Sequence, residues 1–416
     1  MAEILHHWEF IGIVNLENRL TRIVNDSLRR IHRLKKLDET SKLVSICRAY
    51  RKLTPINDSL PGNLVSGLES IIEIHTLLAQ HPMQSQELVR HPNTSSILSE
   101  NLRKAMEGSW IYTSGTAENS TLGLVSRGYI TSLLEGRSSG SRVIADAVVK
   151  RSATVAKFGM DIGAMTYGTV GEAHQYKTPG ILWHSANYST NSTVTVLYSG
   201  NVAFLRRYLG RIFFYLIAQP QLSAHIHIVA DSAEALSFIT EADSLLMAMH
   251  SFAGRDSDVP SIAWSSSVPP EAIGNLITYF ACARYLVALD VMTKHDSAIW
   301  IQDVDLFPTS PITNTKDSLD LFDVALVQSD GLNFMAPWRR YLAGNVYINQ
   351  TDNAREFLRF VSEYITFFLS REHSWMLDQN ALDWAVEKCS DYVRIGNMKH
   401  LNINLTQSIM NSAIES

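Results

Sequence analysis

Two aspartates on alternate residues, Asp303 and Asp305, close the segment Ser297-Ala298-Ile299-Trp300-Ile301-Gln302-Asp303-Val304-Asp305-Leu306-Phe307. The run from Ala298 to Ile301 is largely apolar and reads as a buried strand. Two like charges held together at its end are costly unless something neutralises them. A divalent cation does so, and hard carboxylate oxygens suit Mg²⁺ or Mn²⁺. A cation kept at a strand's carboxyl edge can in turn hold a diphosphate. That is the chemistry of a transferase using a nucleotide-linked donor. The plainer alternative is a pair of surface carboxylates capping a turn.

Other residues have types that could join such a site. Asp231 follows the apolar run ending Val229-Ala230, where a carboxylate can accept hydrogen bonds from a base or ribose, or cap the next helix. Ser199 and Asn201 flank Gly200 and either contact a nucleotide or close a turn. Arg284 stands amid apolar neighbours (Ala281-Cys282-Ala283-Arg284-Tyr285) and needs an anion, either a donor phosphate or a structural partner. Asp378 and Gln379 open a helix, where a carboxylate also complements the helix dipole. His373 and His400 are metal-ligand or proton-carrier candidates, with a surface or core role as the alternative. Gly136-Arg137-Ser138-Ser139-Gly140 matches a hydrolase elbow, but the segment before it is helical rather than strand-like.

These residues need elements to hold them. The first half of the chain reads as mostly helical, with apolar residues at three- and four-residue spacing over Ile11 to Leu37 and Leu64 to Ala79. Gly108 to Gly140 reads as loops with short elements, and Tyr176 to Thr193 as a linker. Beyond it, strands are expected at Thr193 to Tyr198, His225 to Ala230, Ile299 to Ile301, Asp323 to Val327 and Asn345 to Asn349. Helices are expected at Phe204 to Ala218, within Pro269 to Met292, at Asn353 to Leu369 and at Asp378 to Lys388. The alternation implies an α/β fold with a mostly parallel sheet flanked by helices, preceded by a mainly α-helical N-terminal domain. The expected domains are residues 1–185 and 193–416. Ligands of such sheets bind beyond the carboxyl ends of the strands.

Composition narrows the function classes. The chain has 416 residues, is 46% hydrophobic and 19% charged, and carries a net charge of −5. No basic face for nucleic acid is evident, and the cluster Arg29, Arg30, Arg33, Lys35, Lys36 reads as a solvated helix face. The cysteines Cys47, Cys282 and Cys389 form no disulfide framework and have no zinc spacing, which fits a reducing compartment. No signal peptide is read at Met1 to His7, and the apolar run Ile212 to Ala218 is short of a membrane span. The expected location is cytoplasmic, with a peripheral place at the inner membrane face as a variant.

From about Thr193 onward the chain resembles the GT-A class of nucleotide-sugar glycosyltransferases, nearest to its glycogenin-like and bacterial lipopolysaccharide galactosyltransferase-like members. Four segments carry the likeness in order. Val196-Leu197-Tyr198-Ser199-Gly200-Asn201 resembles the first nucleotide-binding strand. Ile299 to Asp305 resembles the DxD strand. Leu342-Ala343-Gly344-Asn345-Val346-Tyr347-Ile348-Asn349 resembles the acceptor-side segment. Trp375 to Leu382 resembles the Asp-Gln helix start. The resemblance implies a metal-dependent transfer from a nucleotide-diphosphate sugar, a UDP-sugar above all, to a glycan, lipid-linked or protein acceptor. It further implies Mn²⁺ or Mg²⁺ on Asp303, Asp305 and His400. Donor contacts fall to Tyr198, Ser199, Asn201, Asp231 and Arg284, catalytic roles to Asp378 and Gln379, and retention of configuration is favoured. The tail Gly396-Asn397-Met398-Lys399-His400 departs from the glycogenin-like order of Gly, Lys and His. A nucleotidyltransferase, a DxD phosphohydrolase and a non-catalytic helical interaction protein with a degenerate transferase domain are the competing readings.

Overall fold

The computed structural model describes residues 80–108, 121–149, 166–170, 180–185, 194–219, 221–254, 259–271, 273–308, 316–329, 337–371, 375–401 and 405–407, with a few positions between 74 and 78. The helices read at Ile11 to Leu37 and over most of Leu64 to Ala79 lie outside these residues. The chain divides into two compact units, Met1–Thr169 with Asp330–Arg340, and Val170–Ser329 with Tyr341–Ser416.

Among its described residues the first unit is helical: α1 Pro82–Arg90, α2 Ile97–Gly108, α3 Thr121–Glu135, α4 Arg137–Val149, and a four-residue helix Pro337–Arg340. The α3 and α4 helices replace the loops expected from the Gly/Ser content of Gly108 to Gly140. Small residues here serve helix contact instead. A Cβ on Gly140 would stand 2.5 Å from the Gly128 carbonyl oxygen, so the two helices approach backbone to backbone. Ser138 of the hydrolase-like pattern lies on α4 after the left-handed Gly136 (φ 99°), with a helix rather than a strand before it. Trp338 is fully buried and packs at 5.5 Å from Tyr129 and 5.9 Å from Tyr167.

The second unit is α/β. Besides the four-residue helices Lys316–Leu319 and Met398–Leu401, its described elements in chain order are β1 Leu182–Trp183, β2 Val194–Gly200, α5 Val202–Ala218, β3 Ser223–Val229, α6 Ser232–Phe252, β4 Ile262–Ser267, α7 Leu276–His295, β5 Ala298–Gln302, β6 Leu306–Pro308, β7 Val324–Gln328, β8 Tyr341–Ile348, α8 Asp352–Leu369, α9 Leu377–Cys389, β9 Ile395–Asn397 and β10 Leu405–Gln407. An eight-stranded sheet runs β1-β4-β3-β2-β5-β8-β7-β9, and β6 pairs with β10 apart from it. The pairs β2–β3, β3–β4, β2–β5 and β7–β9 are parallel. β8 runs antiparallel between β5 and β7, and β1 antiparallel along β4, so the sheet is mixed. The linker reading of Tyr176 to Thr193 missed β1, whose two residues give too short a pattern to detect.

Residues of β2 and β3 are buried along their whole length, because helices cover both faces. Leu197, Ile299, Ile301 and Val346 pack under α7, α8 and α9. Val196, Tyr198, Trp300 and Tyr347 pack on the opposite face with α5. Each such large side chain contributes roughly 1.5–3 kcal/mol on leaving water. α8 buries Ala354, Phe357, Leu358, Val361 and Ile365, the spacing of one helical stripe, and starts where Thr351 Oγ1 accepts from the Ala354 N–H. α7 is long and apolar enough to cross a membrane, but 61% of it is buried inside this unit, as a core helix is. It begins at Leu276, capped by Asn275, later than the Pro270 expected from the sequence. Between α7 and the sheet lies a polar chain. His295, His225, Ser265, His227 and Ser267 are joined in turn by contacts of 3.0, 2.7, 2.8 and 2.9 Å, all buried.

Candidate active site at the carboxyl edge of the sheet

Strands β4, β3 and β2 step one way from the centre, and β5 then lies on the other side of β2. The carboxyl ends of β2 and β5 therefore form the switch point at which open α/β sheets take ligands. Ser199 is the next-to-last residue of β2 and Asp303 follows β5, and both continue the face that carries Leu197 and Ile301.

Asp303 prolongs the ladder, its N–H donating to the Gly344 carbonyl at 2.8 Å. Its Oδ1 lies 2.6 Å from Arg284 Nη1 on α7. Arg284 Nη2 reaches Asp378 Oδ2 at 2.9 Å and the Ala343 carbonyl at 3.3 Å. Tyr285 O–H donates to the same carbonyl at 2.5 Å. One guanidinium thus ties α7, the end of β5, the start of β8 and the first turn of α9. The arrangement is buried, with side-chain exposures of 6% for Arg284 and 8% for Asp378 against 34% for Asp303.

Burial sets the electrostatics. Asp378 is pushed up to about 6, by desolvation first and by the Asp303 charge as well, against the pull of Arg284. Desolvation alone would lower the Arg284 guanidinium, but Asp303 and Asp378 together raise it above its ordinary value. Asp305 is also raised, by burial and then by Asp303.

The donor set fits a divalent cation in its chemistry. Asp303 Oδ2 and the Asp305 carboxylate are hard oxygen donors two residues apart in the chain, and a positive charge would relieve the burial and the Asp303 repulsion that raise Asp305. Among the described residues, no group of three or more His, Cys, Asp or Glu could hold a metal. The remaining ligands would be water and phosphate oxygens, which is how Mg²⁺ is usually held. His400 lies on the 3₁₀ turn Met398–Leu401; its side chain, like His373, falls outside the described residues.

The other candidates divide. Among the described residues, Ser199 Oγ and Arg284 Nε are buried with no hydrogen-bond partner, on the face that carries Asp303. Orphaned buried polar atoms are rare, and polar groups supplied from outside the protein would satisfy them. Tyr198 is fully buried on the opposite face, where its O–H donates to Gln302 Oε1 at 2.9 Å, so it is a core residue rather than a donor contact. Asn201 Oδ1 accepts from the Phe204 N–H at 2.8 Å and Asp231 Oδ1 from the Glu234 N–H at 2.9 Å. Both side chains cap helices, α5 and α6, which accounts for their residue types. Gln379 is half-buried one residue beyond Asp378, whose Oδ1 accepts the Gln379 N–H at 2.9 Å. A cavity of about 300 Å³ lies elsewhere in this unit, lined among others by Trp183, Ser267, Tyr279 and Asp290, and neither Asp303 nor Asp305 lines it.

The Arg284–Asp378 link, the Tyr285 bond and the contact of Gly344 with Asp303 were not legible in the sequence. Arginine within an apolar helix signalled an anion partner without saying which.

No family model matches this chain, and no curated protein sequence matches it. Solved structures do. The apo glycosyltransferase GlyE of Streptococcus pneumoniae TIGR4 is similar over 49% of this chain and 45% of its own, at 15% identity and a TM-score of 0.32. Mouse xyloside xylosyltransferase 1 covers 50% of this chain and 84% of its own, at 11% identity and a TM-score of 0.31. The mannosyltransferase Ktr4p of S. cerevisiae covers 57% and 76%, at 9% identity and a TM-score of 0.31. The match spans less than half the length of GlyE, and at such scores none of the three assigns an activity to this chain.

Proposed function

We propose that the protein is a divalent-cation-dependent glycosyltransferase that takes a sugar from a nucleotide diphosphate, UDP first among them. The acceptor is a glycan, a lipid-linked sugar or a protein. The observation that carries this reading is the place of Asp303 and Asp305 at the switch point between β2 and β5, backed by a buried guanidinium. Mn²⁺ or Mg²⁺ held there would neutralise charge gathering on a departing diphosphate. Asp303 and Asp305 are its ligands in this proposal. Arg284 fixes the Asp303 carboxylate by one of its oxygens and leaves the other free of that bond. Asp378 acts through Arg284 and is a positioning residue, since its carboxylate is buried against the guanidinium. Gln379, half-buried beside Asp378, is the proposed contact of an acceptor hydroxyl. Ser199 Oγ is the proposed hydrogen-bond partner of the donor.

The phosphohydrolase reading needs Asp303 as a nucleophile. An ion pair at 2.6 Å withdraws its electron density and argues against that role. Retention of configuration and a cytoplasmic setting belong to the proposal, the first from the resemblance and the second from the sparse cysteines.

The test uses the full chain, Mn²⁺ and a panel of UDP-, GDP- and CMP-sugars, with sugar release, transfer and binding followed in parallel. Turnover of at least one donor, abolished by EDTA and by Asp305→Asn, is expected. No turnover and no binding across the panel would overturn the proposal. Release of nucleoside monophosphate with transfer of a nucleotidyl group would replace it with nucleotidyl transfer.

A further inference from the structure

We infer that Gly344 is the positioning residue that sets the Asp303 carboxylate, because only a residue without a Cβ leaves room for it. The consequence for cation affinity rests on the function proposed above.

A Cβ built on Gly344 would stand 2.1 Å from Asp303 Oδ2, 2.7 Å from Asp303 Cγ and 2.7 Å from Leu306 Cδ1. No such contact is tolerated, so something must move. The backbone has little freedom to do so. The Gly344 carbonyl accepts the Asp303 N–H at 2.8 Å, one residue past the last pair of the β5–β8 ladder, Gln302 with Asn345. The preceding Ala343 carbonyl accepts from Tyr285 O–H at 2.5 Å and from Arg284 Nη2 at 3.3 Å. Backbone on both sides of the glycine is thereby held to β5 and α7. The side chain of Asp303 is the softer party, and turning it away would break its 2.6 Å contact with Arg284.

Gly344 is absent from the residues whose φ falls in the left-handed region, so its backbone would accept alanine. The requirement is for space and not for conformation. Asp303 Oδ1 is engaged by Arg284 while Oδ2 rests against the Gly344 Cα, and Oδ2 is the oxygen left for a cation shared with Asp305. The glycine and the arginine act together, one by leaving room and the other by attraction, to present that oxygen.

The experiment has two independent readouts. Mn²⁺ affinity of the full chain with UDP is followed by the paramagnetic resonance signal of free Mn²⁺. A double-mutant cycle measures thermal stability of wild type, Gly344→Ala, Asp303→Ala and the double variant, all without metal. Gly344→Ala is expected to bind Mn²⁺ at least tenfold more weakly. Its stability loss is expected to fall by half or more in the Asp303→Ala background, where Oδ2 and Cγ are gone and the Leu306 contact stays. Unchanged Mn²⁺ affinity in Gly344→Ala, or an equal stability loss in both backgrounds, would overturn the inference. Failure of the wild type to take up Mn²⁺ would instead overturn the cation reading of the site, and the stability cycle would still decide the role of Gly344. A Gly344→Ala chain that does not fold, while the double variant does, supports the inference.

Discussion

Replacing Arg284 with methionine removes a cation that Asp303 and Asp378 share and keeps most of the side-chain volume. Breaking a buried ion pair by deleting one partner typically costs about 3–5 kcal/mol, because a charge stays behind without compensation. Two features move this case to the lower end. Asp303 is 34% exposed, so water screens much of its charge. Asp378 already stands at about 6 and can take a proton. The expected loss at pH 8 is therefore about 3 kcal/mol. The pH dependence follows from the same carboxyl. A folded pKa raised from 3.8 to about 6 means that Asp378 contributes stability below its unfolded value and loses it as pH rises through about 6. Deleting Arg284 removes the group that pulls this value down, so the loss extends to higher pH. At pH 5, with Asp378 protonated in the variant, the difference from wild type should shrink to about 1–2 kcal/mol. Urea unfolding of both proteins at pH 5 and pH 8, followed by fluorescence of the buried Trp300 and Trp384, measures it. A difference under about 1 kcal/mol at pH 8, or the same difference at both values, would refute the account of a shared, desolvated guanidinium.

Asp305→Asn should weaken Mn²⁺ binding at least tenfold, yet leave the metal-free protein as stable as wild type or slightly more so, because burial and Asp303 raise this carboxyl; calorimetric titration and thermal unfolding check the two halves. The histidine chain predicts acid lability: burial lowers His227 to about 3 and His295 to about 4, so stability present above the unfolded value of about 6.5 is lost as pH falls toward those values. His227→Gln should make that fall shallower between pH 6.5 and 4, and an unchanged thermal midpoint profile would count against the buried neutral chain.

Much of the second unit could be read from the sequence because its signals are local. Apolar runs at Val194 to Tyr198 and Ala298 to Ile301 mark strands whatever surrounds them, since their backbone groups pair only within a sheet. Capping is one of the two roles that the sequence offers for Asp231, whereas Asn201 reads as a nucleotide contact or a turn residue; a hydrogen bond from an N–H three residues on makes both of them caps. Local reading failed where identity does not fix geometry. Glycine and serine suggested loops before Gly140, but Gly128 and Gly140 serve a close helix crossing, a property of two helices and of neither alone. Tyr198 fitted a nucleotide-contacting strand, yet a period of two turns it to the face away from Asp303.

The chain by itself determined most of the strands and helices of the second unit, though not β1 or β4, that Asp303 and Asp305 stand at the end of a buried strand, and that Arg284 requires an anion. Tertiary structure decided which anions those are, because Asp378 is 94 residues away along the chain and meets Arg284 only when α9 docks beside α7. It also decided that Gly344 lies under the Asp303 carboxylate, a contact created by pairing β8 with β5. Strand order, and with it the switch point beside β2 and β5, arises from the burial of two helix layers against one sheet. Burial is a sum over distant residues, and no short stretch of sequence contains it.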